Sequence, residues 1–74
     1  MVTQYEINTR RRSLCAQIKA RRQTLNMTQD DLAAALETIR KRVADMENGK
    51  ASVKLALALQ ACTELGLFVG VREA

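Results

Sequence analysis

Two short helical signals stand so close together between Thr28 and Gly49 that only a tight turn can join them, and this limits the fold more than any other feature. Thr28 is a good N-cap, Asp30 and Asp31 fall in a first turn where acids complement the helix dipole, and Leu32-Ala33-Ala34-Ala35-Leu36 follows. That pattern predicts a helix over 28–36. After a break at Glu37 and Thr38, apolar residues return at Ile39, Val43 and Met46, and Asn48-Gly49 supplies a left-handed stop, so a second helix is expected over 39–47. Two helices crossing over such a turn need a small residue at the crossing, apolar contacts around it and a polar outer face on the second. Ala33 is the small residue, Leu32, Leu36, Val43 and Met46 are the inner contacts, and Arg40, Lys41, Ala44 and Asp45 are left outward.

The rest of the chain must cover these helices with little material. A chain of 74 residues hides only about 60–65% of its unfolded surface, so one domain with one core is expected. Proline is absent and aromatics are almost so, leaving Leu, Ile, Val, Ala and Met to build the core, a palette that favours helices. No staple is evident, and burial against a second subunit would supplement so small a core; a homodimer is expected on that ground. Cys15 and Cys62 lie far apart without CxxC spacing, and histidine is missing, which removes the usual zinc patterns. Both thiols read as small reduced hydrophobes. Without histidine, a carboxylate pair, an activated nucleophile or a phosphate-cradling glycine loop, no enzyme and no cofactor are expected.

Charge is unevenly spread. Residues 1–26 carry six Lys/Arg against one acid, and a second cationic cluster stands at Arg40-Lys41-Arg42, an asymmetry that fits a polyanionic partner. No apolar run approaches the ~20 residues needed to cross a bilayer, and the first residues lack the apolar core of a signal peptide. A cytoplasmic location is expected. A membrane-surface role for the basic first helix is disfavoured because its apolar stripe is narrow and the core needs it.

Outside the central pair, residues 1–8 alternate loosely and read as an arm or short strand. A first helix is expected over 10–24, with Thr9 as N-cap, Leu14, Ile18 and Leu25 at helical spacing, and Asn26 at its end. Arg10-Arg11-Arg12 would then oppose the positive end of the helix dipole, a placement that suggests a negatively charged ligand or a flexible arm. A fourth helix is expected over 54–65, with Leu55, Leu59, Cys62 and Leu65 on one stripe, alanines at 56, 58 and 61 for close approach, and Gly66 as its stop. The tail from Leu67 to Arg72 reads as a short strand, to be paired with the N-terminal segment or with the same strand of another copy. The domain organisation is therefore an arm at 1–8, a helical domain at 9–66 and a dimerisation strand at 67–74, with Leu67, Phe68, Val69 and Val71 at the interface.

The run Thr28-Gln29-x-x-Leu32-Ala33, followed by Val43-x-x-Met46-Glu47-Asn48-Gly49-Lys50, resembles the phage-repressor (Cro/Xre-type) helix-turn-helix family over roughly residues 11–66. The resemblance implies an all-α, compact four-helix, lambda-repressor-like domain whose short C-terminal β-strand serves in dimerisation. The Glu-Asn-Gly-Lys turn followed by Val53-Lys54-Leu55, and the Leu-Gly-Leu run after the fourth helix, are most similar to HipB-type antitoxins. That likeness implies a homodimer that binds a palindromic double-stranded DNA operator, represses its own operon and binds a HipA-like toxin kinase.

Site roles follow from the same likeness. Arg40, Lys41, Ala44 and Asp45 would face the bases, the cations donating to guanine O6/N7 and Asp45 accepting from a cytosine amino group. Gln29, with Thr28 beside it, would meet a phosphate at the start of the second helix; a plain capping role is the simpler alternative. Arg42 would reach a flanking phosphate or stay solvated, Asn48 and Lys50 would hold a phosphate beyond the third helix, and Arg22 with Glu47 would form a structural ion pair.

Two positions depart from the family pattern. Glu37 stands where glycine is usual, at a cost on the order of 1 kcal/mol in a left-handed conformation. Ile39 stands at the usual Ser-type cap, so Thr38 would cap one residue early and the turn would be tighter or the third helix longer. These departures leave open a toxin-binding protein with weak DNA binding, and a plain phage-type or chromosomal repressor with no toxin partner stays open because it would share most of the pattern.

Overall fold

A computed structural model describes residues 3–50 and 52–67. The four helices are α1 (Gln4–Thr24), α2 (Gln29–Ala35), α3 (Arg40–Glu47) and α4 (Leu55–Glu64), and among the described residues there is no strand. No helix of the described residues is long and apolar enough to cross a membrane.

All four helices stop by the same device. A left-handed residue follows each, at Asn26 (φ 57), Glu37 (φ 54), Gly49 (φ 71) and Gly66 (φ 70). The next residue donates back to a carbonyl five residues earlier: Met27 to Arg22, Thr38 to Ala33, Lys50 to Asp45 and Leu67 to Cys62. These paired closing bonds satisfy carbonyls that would otherwise be orphaned at the helix ends. Glu37 thus takes the glycine conformation that the turn demands.

The starts are less uniform. Thr28 accepts from the Asp31 amide at 3.0 Å while the Thr28 amide donates to Asp31 Oδ2 at 2.9 Å, a reciprocal capping box. Hydrogen bonding from the Thr28 backbone and hydroxyl holds the Asp31 carboxyl below its ordinary range. Expected capping of α3 by Thr38 is not what forms. Ile39 is the N-cap residue, in extended conformation and without a side-chain bond, and α3 starts at Arg40. Extension at Ile39 needs no hydroxyl, and α3 begins without a side-chain cap, its Arg42 amide bonded to the Ile39 carbonyl at 3.0 Å.

The first helix differs most from expectation. It begins at Gln4, because Thr3 accepts from the Glu6 amide at 3.1 Å and Glu6 sits in the first turn. The segment read as an arm or short strand is therefore helical from Gln4 onward, and Gln4 bonds to Asn8 across one turn. Arg10-Arg11-Arg12 lie within the helix instead of at its start, which removes the dipole conflict.

The core is aliphatic. Ile18, Leu32, Val43, Met46 and Leu65 are the largest fully buried side chains, joined by Ala33, Leu36, Ala58, Ala61 and Cys62. Each large one contributes about 1.5–3 kcal/mol by leaving water. α2 packs chiefly on α3, while α1 spans α3 and α4. On α4 the buried face is rotated from the expected stripe: Ala58, Ala61, Cys62 and Leu65 point inward, whereas Leu55 and Leu59 are exposed. Cys15 and Cys62 are free and buried, and burial pushes both thiols up from their ordinary range.

Leu67 is partly buried against this core, and its amide completes the stop of α4, so it is not in a strand. The expected C-terminal strand and its contacts Phe68, Val69 and Val71 lie outside the described residues.

Candidate nucleic-acid interface

Ala33, 4% exposed, and Val43, fully buried, sit together in the core where α2 crosses α3. A larger side chain at the crossing would push the helices apart. With Val43, Met46 and Glu47 committed inward, α3 turns Arg40, Lys41 and Arg42 to solvent, with Ala44 and Asp45 half-buried beside them.

The orientation of α3 is locked by a buried ion pair. Arg22 Nε stands 2.6 Å from Glu47 Oε2 and Arg22 Nη2 donates to Glu47 Oε1 at 3.0 Å, a two-pronged geometry between α1 and α3. Arg22 Nη1 donates to the Met27 carbonyl at 2.7 Å, so the guanidinium also fixes the chain between α1 and α2. Donating to the Glu47 carboxylate raises the Arg22 pKa above its ordinary value, against the opposing effect of burial.

Gln29 extends this lock to the surface. Its Nε2 donates to Glu47 Oε1 at 3.2 Å, and its Oε1 accepts from Arg40 Nε at 3.4 Å. A continuous path therefore runs from Arg22 through Glu47 and Gln29 to Arg40, giving the first cation of α3 a preferred direction. Sequence reasoning placed Gln29 at a phosphate and missed this link, since its partners lie 18 and 11 residues away and no local pattern reports them.

The other candidate residues are disposed as follows. The Thr28 hydroxyl is engaged in the capping box, and Gln29, the first residue of α2, is the one bonded to Arg40. Lys41 and Arg42 are exposed, and Arg42 lines a groove with Lys54, Leu57 and Gln60. Asn48 is exposed at the end of α3. Lys50 Nζ lies 3.2 Å from Asp45 Oδ1, so a supposed phosphate contact and a supposed base contact are paired with each other. Three arginines outside α3 had no role expected of them individually: Arg21 Nε donates to the Leu65 carbonyl at 3.0 Å, Arg11 Nη1 donates to the Val53 carbonyl at 3.1 Å, and Arg12 lies against Gly49.

A short α2, a tight left-handed turn and an α3 whose cations face outward from a rigid base define a helix-turn-helix DNA-binding domain. The helix-turn-helix family matches residues 18–67, more than half of the chain, and the protein belongs to that family, in its Cro/C1 type. It is a sequence-specific DNA-binding regulator. No curated protein and no solved structure matches the chain.

Proposed function

We propose that the protein is a dimeric, non-enzymatic repressor of the cytoplasm that reads a palindromic operator with α3 and serves as the antitoxin of a toxin–antitoxin operon. The observation that carries the DNA part is the placement of Arg40, tied through Gln29 to the buried Arg22–Glu47 pair and exposed at the start of α3. A cation held in this way enters the major groove with little entropy left to lose, which is what bidentate reading of guanine requires. Lys41 and Asp45 complete the base-facing set, with Ala44 leaving room for the groove wall. Asn48, Lys50, Arg42 and the amides at the start of α2 provide the phosphate contacts that supply affinity and make it salt-dependent. In a twofold dimer the two copies of α3 would lie roughly 34 Å apart, one turn of duplex.

The antitoxin part draws on the likeness of the Glu47-to-Leu55 and Leu65-to-Leu67 runs to HipB-type proteins. It is supported by exposed apolar side chains on α1 and α4: Ile7, Leu55 and Leu59 are all more than two-fifths exposed. Such residues leave surface for a second copy or a toxin kinase while α3 is on DNA.

Binding to the DNA upstream of the protein's own coding sequence tests the reading. Arg40→Ala should abolish the preference for that DNA over random duplex, whereas Asn48→Ala should weaken both alike; equal losses for Arg40→Ala on the two duplexes would remove the base-reading role. Copurification of a co-transcribed kinase-like neighbour would support the antitoxin role, and a neighbour that neither binds nor is neutralised would leave a plain repressor.

A further inference from the structure

We propose that Arg12, which lies on α1 outside the matched segment 18–67, holds a DNA backbone phosphate beside the C-terminal end of α3. The contact is one the helix-turn-helix unit does not contain, and it rests on the reading that α3 enters the groove.

Contact geometry comes first. A Cβ added at Gly49 would stand 3.0 Å from Arg12 Cγ, 3.7 Å from its Cα and 3.9 Å from its Cβ, so the stem of Arg12 lies flat on the glycine that ends α3. Glycine is favoured at 49 on two counts, its φ of +71° and this close approach. Arg11 secures the neighbourhood, since its bond to the Val53 carbonyl ties the loop after α3 back onto α1. Arg12 is exposed to solvent, and its stem packs on the glycine that lies between Asn48 and Lys50.

Charge makes the same point independently. The end of α3 bears the negative pole of the helix and no basic residue in its last turn. Glu47 is paired with Arg22 and Lys50 with Asp45, so neither pair adds net positive charge at this end of α3. Among the described residues Arg12 forms no ion pair. It adds an unpaired cation to an end of α3 where, among the described residues, Arg11 and Lys54 also stand without an acidic partner, and a planar guanidinium on a packed stem suits a phosphate better than a free lysine does.

A purely structural role would have Arg12 merely answer the negative pole of α3. The two are separated by the salt dependence of binding, measured on fluorescein-labelled duplex of the upstream DNA and of random sequence. Arg12→Gln keeps the stem over Gly49 and removes the charge. It should lower the slope of log Kobs against log[salt] by about 0.9 for each protomer bound, which shrinks the loss between 50 and 200 mM salt by about 3.5-fold. Arg12→Lys should restore the slope, and Arg10→Gln, which removes the same charge from an exposed position not in contact with Gly49, should change it far less. An unchanged slope in Arg12→Gln, an equal drop in Arg10→Gln, or a drop in thermal stability with no change in slope would overturn the proposal. Absence of salt-dependent duplex binding by the unaltered protein would overturn the DNA reading itself and this contact with it.

Discussion

Arg22 and Glu47, 25 residues apart in the chain, meet through two hydrogen bonds in a place where the Glu47 side chain is 1% exposed and that of Arg22 is 10% exposed. An ion pair so enclosed gains little over a well-packed apolar pair, yet losing one partner strands the other. Arg22→Met, of similar bulk, leaves a buried carboxylate with only Gln29 to answer it. The expected loss is about 3–5 kcal/mol, enough to unfold much of so small a domain. Arg22→Met/Glu47→Leu should recover most of that loss. Urea unfolding of both variants checks this, and a single-variant loss below about 1 kcal/mol would mean the pair behaves as a surface bridge.

Glu37 carries φ 54 without being glycine and is exposed, so it pays steric strain and gains no burial. Glu37→Gly relieves about 1 kcal/mol of that strain, with part returned as greater freedom of the unfolded chain. A net rise in Tm of up to about 4–8 °C is expected from thermal denaturation. The DNA-reading register should not move, because Thr38 already closes onto the Ala33 carbonyl at 2.9 Å. A fall in Tm would show that the Glu37 side chain has a stabilising contact in solution.

Ile39 caps α3 in extended conformation (φ −100, ψ 153), is 61% exposed, and has no side-chain acceptor to offer the first amides of the helix. Ile39→Ser places a hydroxyl where an N-cap needs one and gives up little buried apolar surface. A gain of about 1 kcal/mol is expected. Parallel urea titrations of Ile39→Ser and Ile39→Ala separate the cap from the loss of the isoleucine: only the serine variant should gain.

How much of this could be read from the residues depends on whether a feature is local. Asn26, Gly49 and Gly66 announce helix ends because few residues tolerate positive φ, and Thr28 with Asp30 and Asp31 announces the start of α2 within one turn. The beginning of α1 was equally local, in Thr3-Gln4-Tyr5-Glu6. It was hidden because Tyr5 and Ile7 remain exposed, so no apolar stripe marks the first two turns as helix. On α4 the large side chains drew the expected core onto Leu55 and Leu59, but the way α4 docks, which no local pattern reports, turned Ala58 and Ala61 inward. The candidate site divides in the same way. The outward set on α3 follows from one helical wheel, whereas the Glu47–Gln29–Arg40 path and the seat of Arg12 on Gly49 arise from chain segments that only the fold brings together.

Asp31 gives the stability a dependence on acid whose sign is fixed by its direction of shift. Its carboxyl is held below the ordinary range by the Thr28 amide and hydroxyl, so the folded state prefers it ionised. Such a group contributes fully above the unfolded carboxylate pKa, near 3.9, and the contribution is lost as pH falls through the lower folded value. Thermal unfolding followed from pH 6 downward should therefore show a decline below about pH 4 that is shallower in Asp31→Asn, which keeps an acceptor for the Thr28 amide but cannot titrate. Because Asp31 is exposed, the difference should be modest and should leave the neutral-pH fold intact. Identical acid profiles for the two proteins would mean that the reciprocal bond between Thr28 and Asp31 is too open to solvent to bias protonation, and that α2 is started by the Thr28 hydroxyl alone.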